Sequence, residues 1–297
     1  MTQPSWAQHE RVVQARERSG VFDALVLAIE RFRLHRTGRH SALVAHYGFM
    51  SLFPLALVFA TVLGFVLQGN PELRKRILDT AFRDIPIIGP ELQADPTRLR
   101  GDIVVLIVGT LVTLWAGLRA FNVLQTALDD IADVPLQQRP NLLRTRGRSL
   151  IGVLIVGVAQ LGATVVAGLS GVGGVENLHR LFLVLATFAI NAIAIAATYR
   201  FLCSARPPWQ RVRVGAMIAG FSFAVLQVVG TTFVARAIAN ASPVYGAFAS
   251  VIGLLTWLNV HAMALLLGAE LNGVLLTRSM GRTAAQPAER TEPSEMI

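Results

Sequence analysis

One acidic residue, Glu270, stands inside an otherwise apolar run from Ala237 to Thr277. A carboxylate in hydrocarbon is costly unless a cation or hydrogen-bond donors meet it, so such a residue marks a substrate or ion path or a structural clamp. Asn259, Met263 and Glu270 share one helical stripe, because steps of four and seven nearly complete whole turns. Arg119 and Asn122 approach the same membrane boundary from an earlier run, and Thr126, Asp129 and Asp133 continue their polar face. An Arg119–Glu270 pair fits this arrangement. Alternatively each side chain snorkels to the interface, or Glu270 takes an Arg from another cytoplasmic segment.

Four runs each place one amide near mid-depth: Gln160, Asn191, Gln227 and Asn259. Either they bond helix to helix, at about 1 kcal/mol each, or they line a polar cavity at the bundle centre. In the first run Pro54 removes the backbone bond to the Met50 carbonyl and kinks the helix. Ser51 is placed to re-satisfy the freed backbone, and His46 and Met50 precede the proline on its face. The kink is either a fixed bend or a moving gate.

The elements that carry these residues follow from where charge is absent. Of 297 residues, 53% are apolar and 15% charged, too few charges for an average soluble domain. Apart from Glu270, the charges lie in or beside the separators between Ser41–Asn70, Ile103–Leu118, Ser149–Val175, Leu181–Tyr199, Val214–Ala235 and Ala237–Thr277. A bilayer core needs about 20 apolar residues of helix; five runs meet this, and Phe121–Leu128 extends the second beyond Arg119. Membrane strands would alternate over about ten residues, which these runs do not. The fold class is therefore all-α, a polytopic membrane protein with six transmembrane helices. The charged first 40 residues lack a cleavable signal pattern, so the first helix is expected to stay in the mature protein.

Basic residues give the orientation. Segments 1–40, 119–148, 200–213 and 278–297 carry seven, five, four and three of them; the other face carries eight, nearly balanced by seven acids. Both termini are expected in the cytoplasm. The resulting organisation is a cytoplasmic N-terminal segment 1–40 with an amphipathic helix, a six-helix domain 41–277 with an external loop 71–102, and a disordered cytoplasmic tail 278–297. Phe22, Leu25, Val26 and Ile29, near Arg31, Arg33 and Arg36, form the amphipathic helix. A second surface helix is expected from Asn70, with Leu73, Ile77 and Ala81 on one face, and ends before Pro86. The last helix is expected to start at Ser242-Pro243 and to outreach the bilayer core.

Several function classes drop out. The +9 net charge suits membrane topology and anionic lipid, and no basic patch with base-stacking aromatics indicates nucleic acid. Single Cys203 excludes an intramolecular disulfide and a cysteine metal cluster. The six histidines are scattered, no nucleotide or hydrolase motif sits in context, and neither a metal nor a cofactor is expected. Gly168, Gly171, Gly173 and Gly174 read as a helix end and turn rather than a phosphate cradle.

His46-Tyr47-Gly48-Phe49-Met50-Ser51-Leu52-Phe53-Pro54 resembles the first-helix signature of the YihY/virulence factor BrkB family. Leu114–Pro135, holding Gly117-Leu118-Arg119-Ala120-Phe121-Asn122, is similar to its second-helix segment, and Tyr245-Gly246-Ala247 through Trp257 to Leu267-Gly268-Ala269-Glu270-Leu271-Asn272 to its C-terminal signature. The resemblance covers about residues 22–277 and looks most like the shorter YhjD-type branch. Arg206-Pro207-Pro208-Trp209 departs from the family's simpler connection after the fourth helix. Resemblance implies a multi-pass bacterial inner-membrane protein. The family's older name, ribonuclease BN, does not suit this chain, which lacks the clustered His and Asp ligands of metal-dependent RNA cleavage.

Two functions follow as expectations. The first is a transporter or flippase-like protein for a lipid-linked or amphiphilic substrate. Membrane lipids are its partners, the amides line its route, and Arg119 and Glu270 meet the headgroup. Without an ATPase motif, pumping would draw on an ion gradient, through Glu270 or His46. The second is a non-catalytic membrane scaffold that recruits envelope proteins through loop 71–102. An enzyme is not expected, and the oligomeric state is open.

Overall fold

A computed structural model describes residues 18–66, 103–169, 177–239 and 246–284, with a few positions before residue 18. The second surface helix, the loop 71–102, the turn after Leu169, Ser242-Pro243 and the last thirteen residues lie outside the described residues.

The described residues are helical with short connections. The surface helix α1 is Gly20–Leu34, and the long helices are α2 Thr37–Val66, α3 Ile103–Ile131, α4 Leu142–Leu169, α5 Asn177–Leu202, α6 Trp209–Ala239 and α7 Gly246–Ala284. Helix α7 has 39 residues, about 58 Å at 1.5 Å each, so it outreaches a bilayer core of about 30 Å. It also carries residues 278–284, which were assigned above to a disordered tail. Pro54 sits within a helix that continues on both sides of it. Among the described residues, Ile107–Ile131, Leu185–Leu202 and Val251–Arg278 are long and apolar enough to cross a membrane.

Each long helix packs on the next in chain order, and α7 returns to α2, closing a ring of six. Lighter contacts cross it from α3 to α5 and α7, and α1 packs on α7 and α2. The described core gathers at one end of the ring. Leu124, Leu128 and Ile131 of α3 meet Ile195, Tyr199 and Leu202 of α5, Val212, Ala216 and Ala219 of α6, and Leu266 and Ala269 of α7. Small residues dominate the α6 face, which lets backbones approach; in lipid, such packing replaces the hydrophobic drive.

The α6–α7 crossing shows how tight this becomes. A β-carbon added at Gly215 would overlap the Gly268 carbonyl, and one at Gly268 would come within 2.6 Å of the Gly215 carbonyl. Asn272 locks the register: its Oδ1 accepts from the Gly215 amide at 2.8 Å, and its Nδ2 donates to the Val212 carbonyl at 3.1 Å. The Tyr199 hydroxyl on α5 donates across the ring to the Leu265 carbonyl of α7.

Helix α1 is held by the same stretch of α7. Ser19 caps it by accepting from the Phe22 amide, and Ala24 and Ala28 bury against Leu271 and Val274. Phe22, Leu25 and Ile29 stay exposed on the opposite side.

Candidate functional site

The buried centre of the described end is Glu270, whose side chain is 0% exposed. Two chain features aim donors at it. Helix α1 ends at Leu34, and Arg36 turns the chain in the left-handed region (φ 53°) before α2 begins at Thr37. His35 and Thr37, on either side of that turn, therefore face one carboxylate oxygen. The Thr37 hydroxyl donates to Glu270 Oε1 at 2.9 Å, and His35 Nδ1 lies 2.9 Å from the same atom. The other oxygen faces Arg31 Nε at 3.6 Å. That spacing makes an ion pair but is too long for a hydrogen bond, and neither Arg31 Nε nor Glu270 Oε2 has a hydrogen-bond partner.

Arg31 also ties α1 to the end of α3. Its Nη2 donates to the Ile131 carbonyl at 3.2 Å and to Asp133 Oδ2 at 3.0 Å. Asp133 stands in the left-handed region (φ 52°), and the bonds from its amide to the Asp130 carbonyl and from the Val134 amide to the Asp129 carbonyl form a Schellman helix end. Glycine is cheapest there; aspartate instead brings a carboxylate to Arg31 and, at 3.6 Å, to His35 Nε2.

The other acids of this end are also partnered. Asp129 accepts from the Ser204 amide at 2.6 Å and the Ser204 hydroxyl at 2.7 Å, and Arg148 donates to that hydroxyl at 2.8 Å. Asp130 accepts from Arg139 at 2.6 Å and lies 3.1 Å from His40 Nε2. Connections between helices are thus pinned by charge-assisted bonds.

The expected Arg119–Glu270 pair does not form. Arg119 is exposed, with its guanidinium 5.8 Å over the Trp115 ring, while Glu270 is enclosed by α1 and the α1–α2 turn. The reason is the docking of α1, which brings a nearer cation, Arg31, to the carboxylate; an Arg from another segment was the stated alternative. Ser51 also differs from expectation, since its hydroxyl donates to the Gly48 carbonyl at 2.7 Å and not to the Met50 carbonyl that Pro54 frees. His46 is exposed and stacks edge-on with Tyr47, which does the same with Trp115. Asn122 and Asn191 are half-buried, and the Asn122 carbonyl accepts from Thr126. Asn259 has a buried Oδ1 without a partner. The side chains of Gln160 and Gln227 lie outside the described residues, so the structure brings no set of four amides together.

Sequence reasoning missed His35, Thr37 and Asn272 as contact residues. The available signal was Glu270 itself, which needs more donors than one arginine supplies.

Beside this network lies a cavity of about 390 Å³, walled by residues including Leu128, Ile131, Val212, Leu276 and Pro207, with Arg31, Asp133, Arg211 and Asn272 among its polar lining. Cys203 also lines it, and burial pushes its thiol up to about 11. Among the described residues no group of three His, Cys, Asp or Glu could hold a metal. The arrangement can shelter an apolar group beside fixed charges.

Comparison with known proteins places the chain. The sequence model of the virulence factor BrkB family matches residues 28–293. The chain is 26% identical over 262 residues to the inner membrane protein YhjD of Escherichia coli (strain K12), across 81% of this chain and 77% of that protein. It is 28% identical over 257 residues to an uncharacterized protein of Dickeya dadantii, across 78% of this chain and 76% of that one. A UPF0761 membrane protein of Halorhodospira halophila is 24% identical over 262 residues, across 83% of this chain and 56% of the relative. No solved structure matches. With membrane-length apolar helices and a match over most of its length, this chain belongs to the virulence factor BrkB family and is an integral inner-membrane protein.

Proposed function

We propose that the protein crosses the inner membrane six times, with both termini in the cytoplasm, and moves an amphiphilic or lipid-linked substrate between leaflets. The observation that carries this reading is the cavity beside Glu270. Its walls are mostly apolar with a few charged groups, a mixture that suits the apolar and polar parts of an amphiphile. Its end of the bundle holds Arg36, Arg139, Arg144, Arg206 and Arg213, so the basic-residue rule assigns that end to the cytoplasm. The unpartnered Asn259 oxygen, on the same helix, supplies a polar group farther along.

In this role the protein makes and breaks no covalent bond and uses no cofactor; its partners are membrane lipids and not nucleic acid. The scaffold alternative depends on loop 71–102, outside the described residues.

The test is a dithionite-quench assay with fluorescent anionic and zwitterionic lipids in vesicles that contain the full chain. Faster loss of inner-leaflet fluorescence than in protein-free vesicles is expected for at least one lipid. Equal rates for every lipid would contradict the transport reading.

A further inference from the structure

Helix α1 has two faces, and only one of them is covered by protein. Ala24 and Ala28 bury against Leu271 and Val274 of α7. On the other side Phe22, Leu25 and Ile29 recur at steps of three and four and stay exposed, and Val21 beside them is 73% exposed. Arg33 continues that stripe by one more step of four, and Arg18 and Arg36 flank the helix. All three arginines are exposed and make no ion pair with the described residues. The acids of α1 do not offset this charge, because Asp23 is held by Arg16 and Arg278 and Glu30 lies 3.6 Å from Arg16. The outer face therefore offers apolar side chains and uncompensated positive charge. Its position follows from the chain: only His35 and Arg36 separate α1 from α2, which enters an apolar run at Ser41, so the C-terminal end of α1 is tethered at the membrane boundary.

We propose that the outer face of α1 docks on the anionic lipid surface at its own end of the bundle. Phe22, Leu25 and Ile29 then sit at the boundary between headgroups and acyl chains, and Arg18, Arg33 and Arg36 lie against lipid phosphates. Arginine suits both parts of that boundary, since its stem covers apolar surface while its guanidinium stays with the headgroups. Charge favours lipid over a second copy of this chain, because two such faces together would set arginine against arginine. The inference depends on α2 spanning the membrane and not on the transport reading. The same helix brings Arg31 and His35 to Glu270, so the lipid contact and that network share one element.

Site-directed quenching reads this contact. The full chain carrying Cys203→Ala and Leu25→Cys is labelled with bimane and placed in nanodiscs of phosphatidylcholine, alone or mixed with phosphatidylglycerol. A nitroxide high on the lipid acyl chain reports contact with the bilayer, and iodide reports contact with water. In the mixed discs the nitroxide is expected to quench the label more strongly than iodide does. Adding Arg33→Gln should lower the ratio of nitroxide to iodide quenching about fivefold, the weight of one arginine at an anionic surface, while Arg33→Lys keeps it. High salt should lower the ratio in the same direction, and discs of phosphatidylcholine alone should show little effect of either change. Ile29→Cys in place of Leu25→Cys repeats the measurement at a second exposed position, so the result does not hang on one variant's folding. Quenching by iodide and not by the nitroxide would leave the face in water and overturn the proposal. Protection from both quenchers would mean that protein covers it, a second copy included, and would overturn it as well. Nitroxide quenching that ignores phosphatidylglycerol, salt and Arg33→Gln would refute the charge-directed docking.

Discussion

Glu270 is satisfied from one side by Thr37 and His35 and faces an arginine that stays slightly too far away for a hydrogen bond. Removing one member of a buried ion pair leaves the other uncompensated, at about 3 kcal/mol. Glu270→Gln and Arg31→Gln should each lower thermal stability in detergent, and the double variant should lose less than the sum by about 1 kcal/mol. Arg119→Gln combined with Glu270→Gln should be additive, because Arg119 contacts Trp115 instead. Coupling in the second pair and additivity in the first would reverse the assignment. Cys203 offers a simpler check. It is 4% exposed and its thiol is held well above the usual range by burial, so thiolate is scarce at neutral pH. The native protein should resist iodoacetamide at pH 7.5 and react after denaturation in SDS; equal labelling rates would show that this end of the bundle is open.

Among the elements, the C-terminal signature divides its labour by face. Gly268 lets α6 approach, Asn272 fixes the register of that approach, and Glu270 turns toward α1 and the α1–α2 turn. Gly268→Ala or Gly215→Ala should destabilise the protein by about 2 kcal/mol, since each added methyl meets the facing backbone carbonyl as well as a hydrogen-bonded side chain, Tyr199 or Asn272. Gly253→Ala, in the same helix with open space around it, should be nearly neutral, and a loss equal to that of Gly268→Ala would refute the packing argument. The long helices and the apolar face of α1 were legible because hydrophobic runs and helical spacing are local properties. The partner of Glu270 was not. Depth counted along straight helices brings Arg119 near it, but a two-residue turn at His35-Arg36 folds α1 back against α7 and brings Arg31 closer. Left-handed Arg36 and Asp133 carry no glycine signal, so the turn and the helix end were hidden as well.

For the whole molecule, closing the helices into a ring leaves the basic end as a collar of connections beside an apolar-walled cavity. With an engineered cysteine between residues 136 and 138, in a chain lacking Cys203, an impermeant maleimide added to intact cells should fail to label it. A cysteine within 71–102 should be labelled; the reverse pattern would place the cavity on the outer face. The central claim, that this cavity takes an amphiphile, is tested most directly by an electron cryomicroscopy structure of the full chain in nanodiscs of native lipid. Elongated density running through the cavity along Leu128, Val212 and Leu276 is the predicted result. A cavity filled by the protein's own side chains, or holding only water, would contradict it.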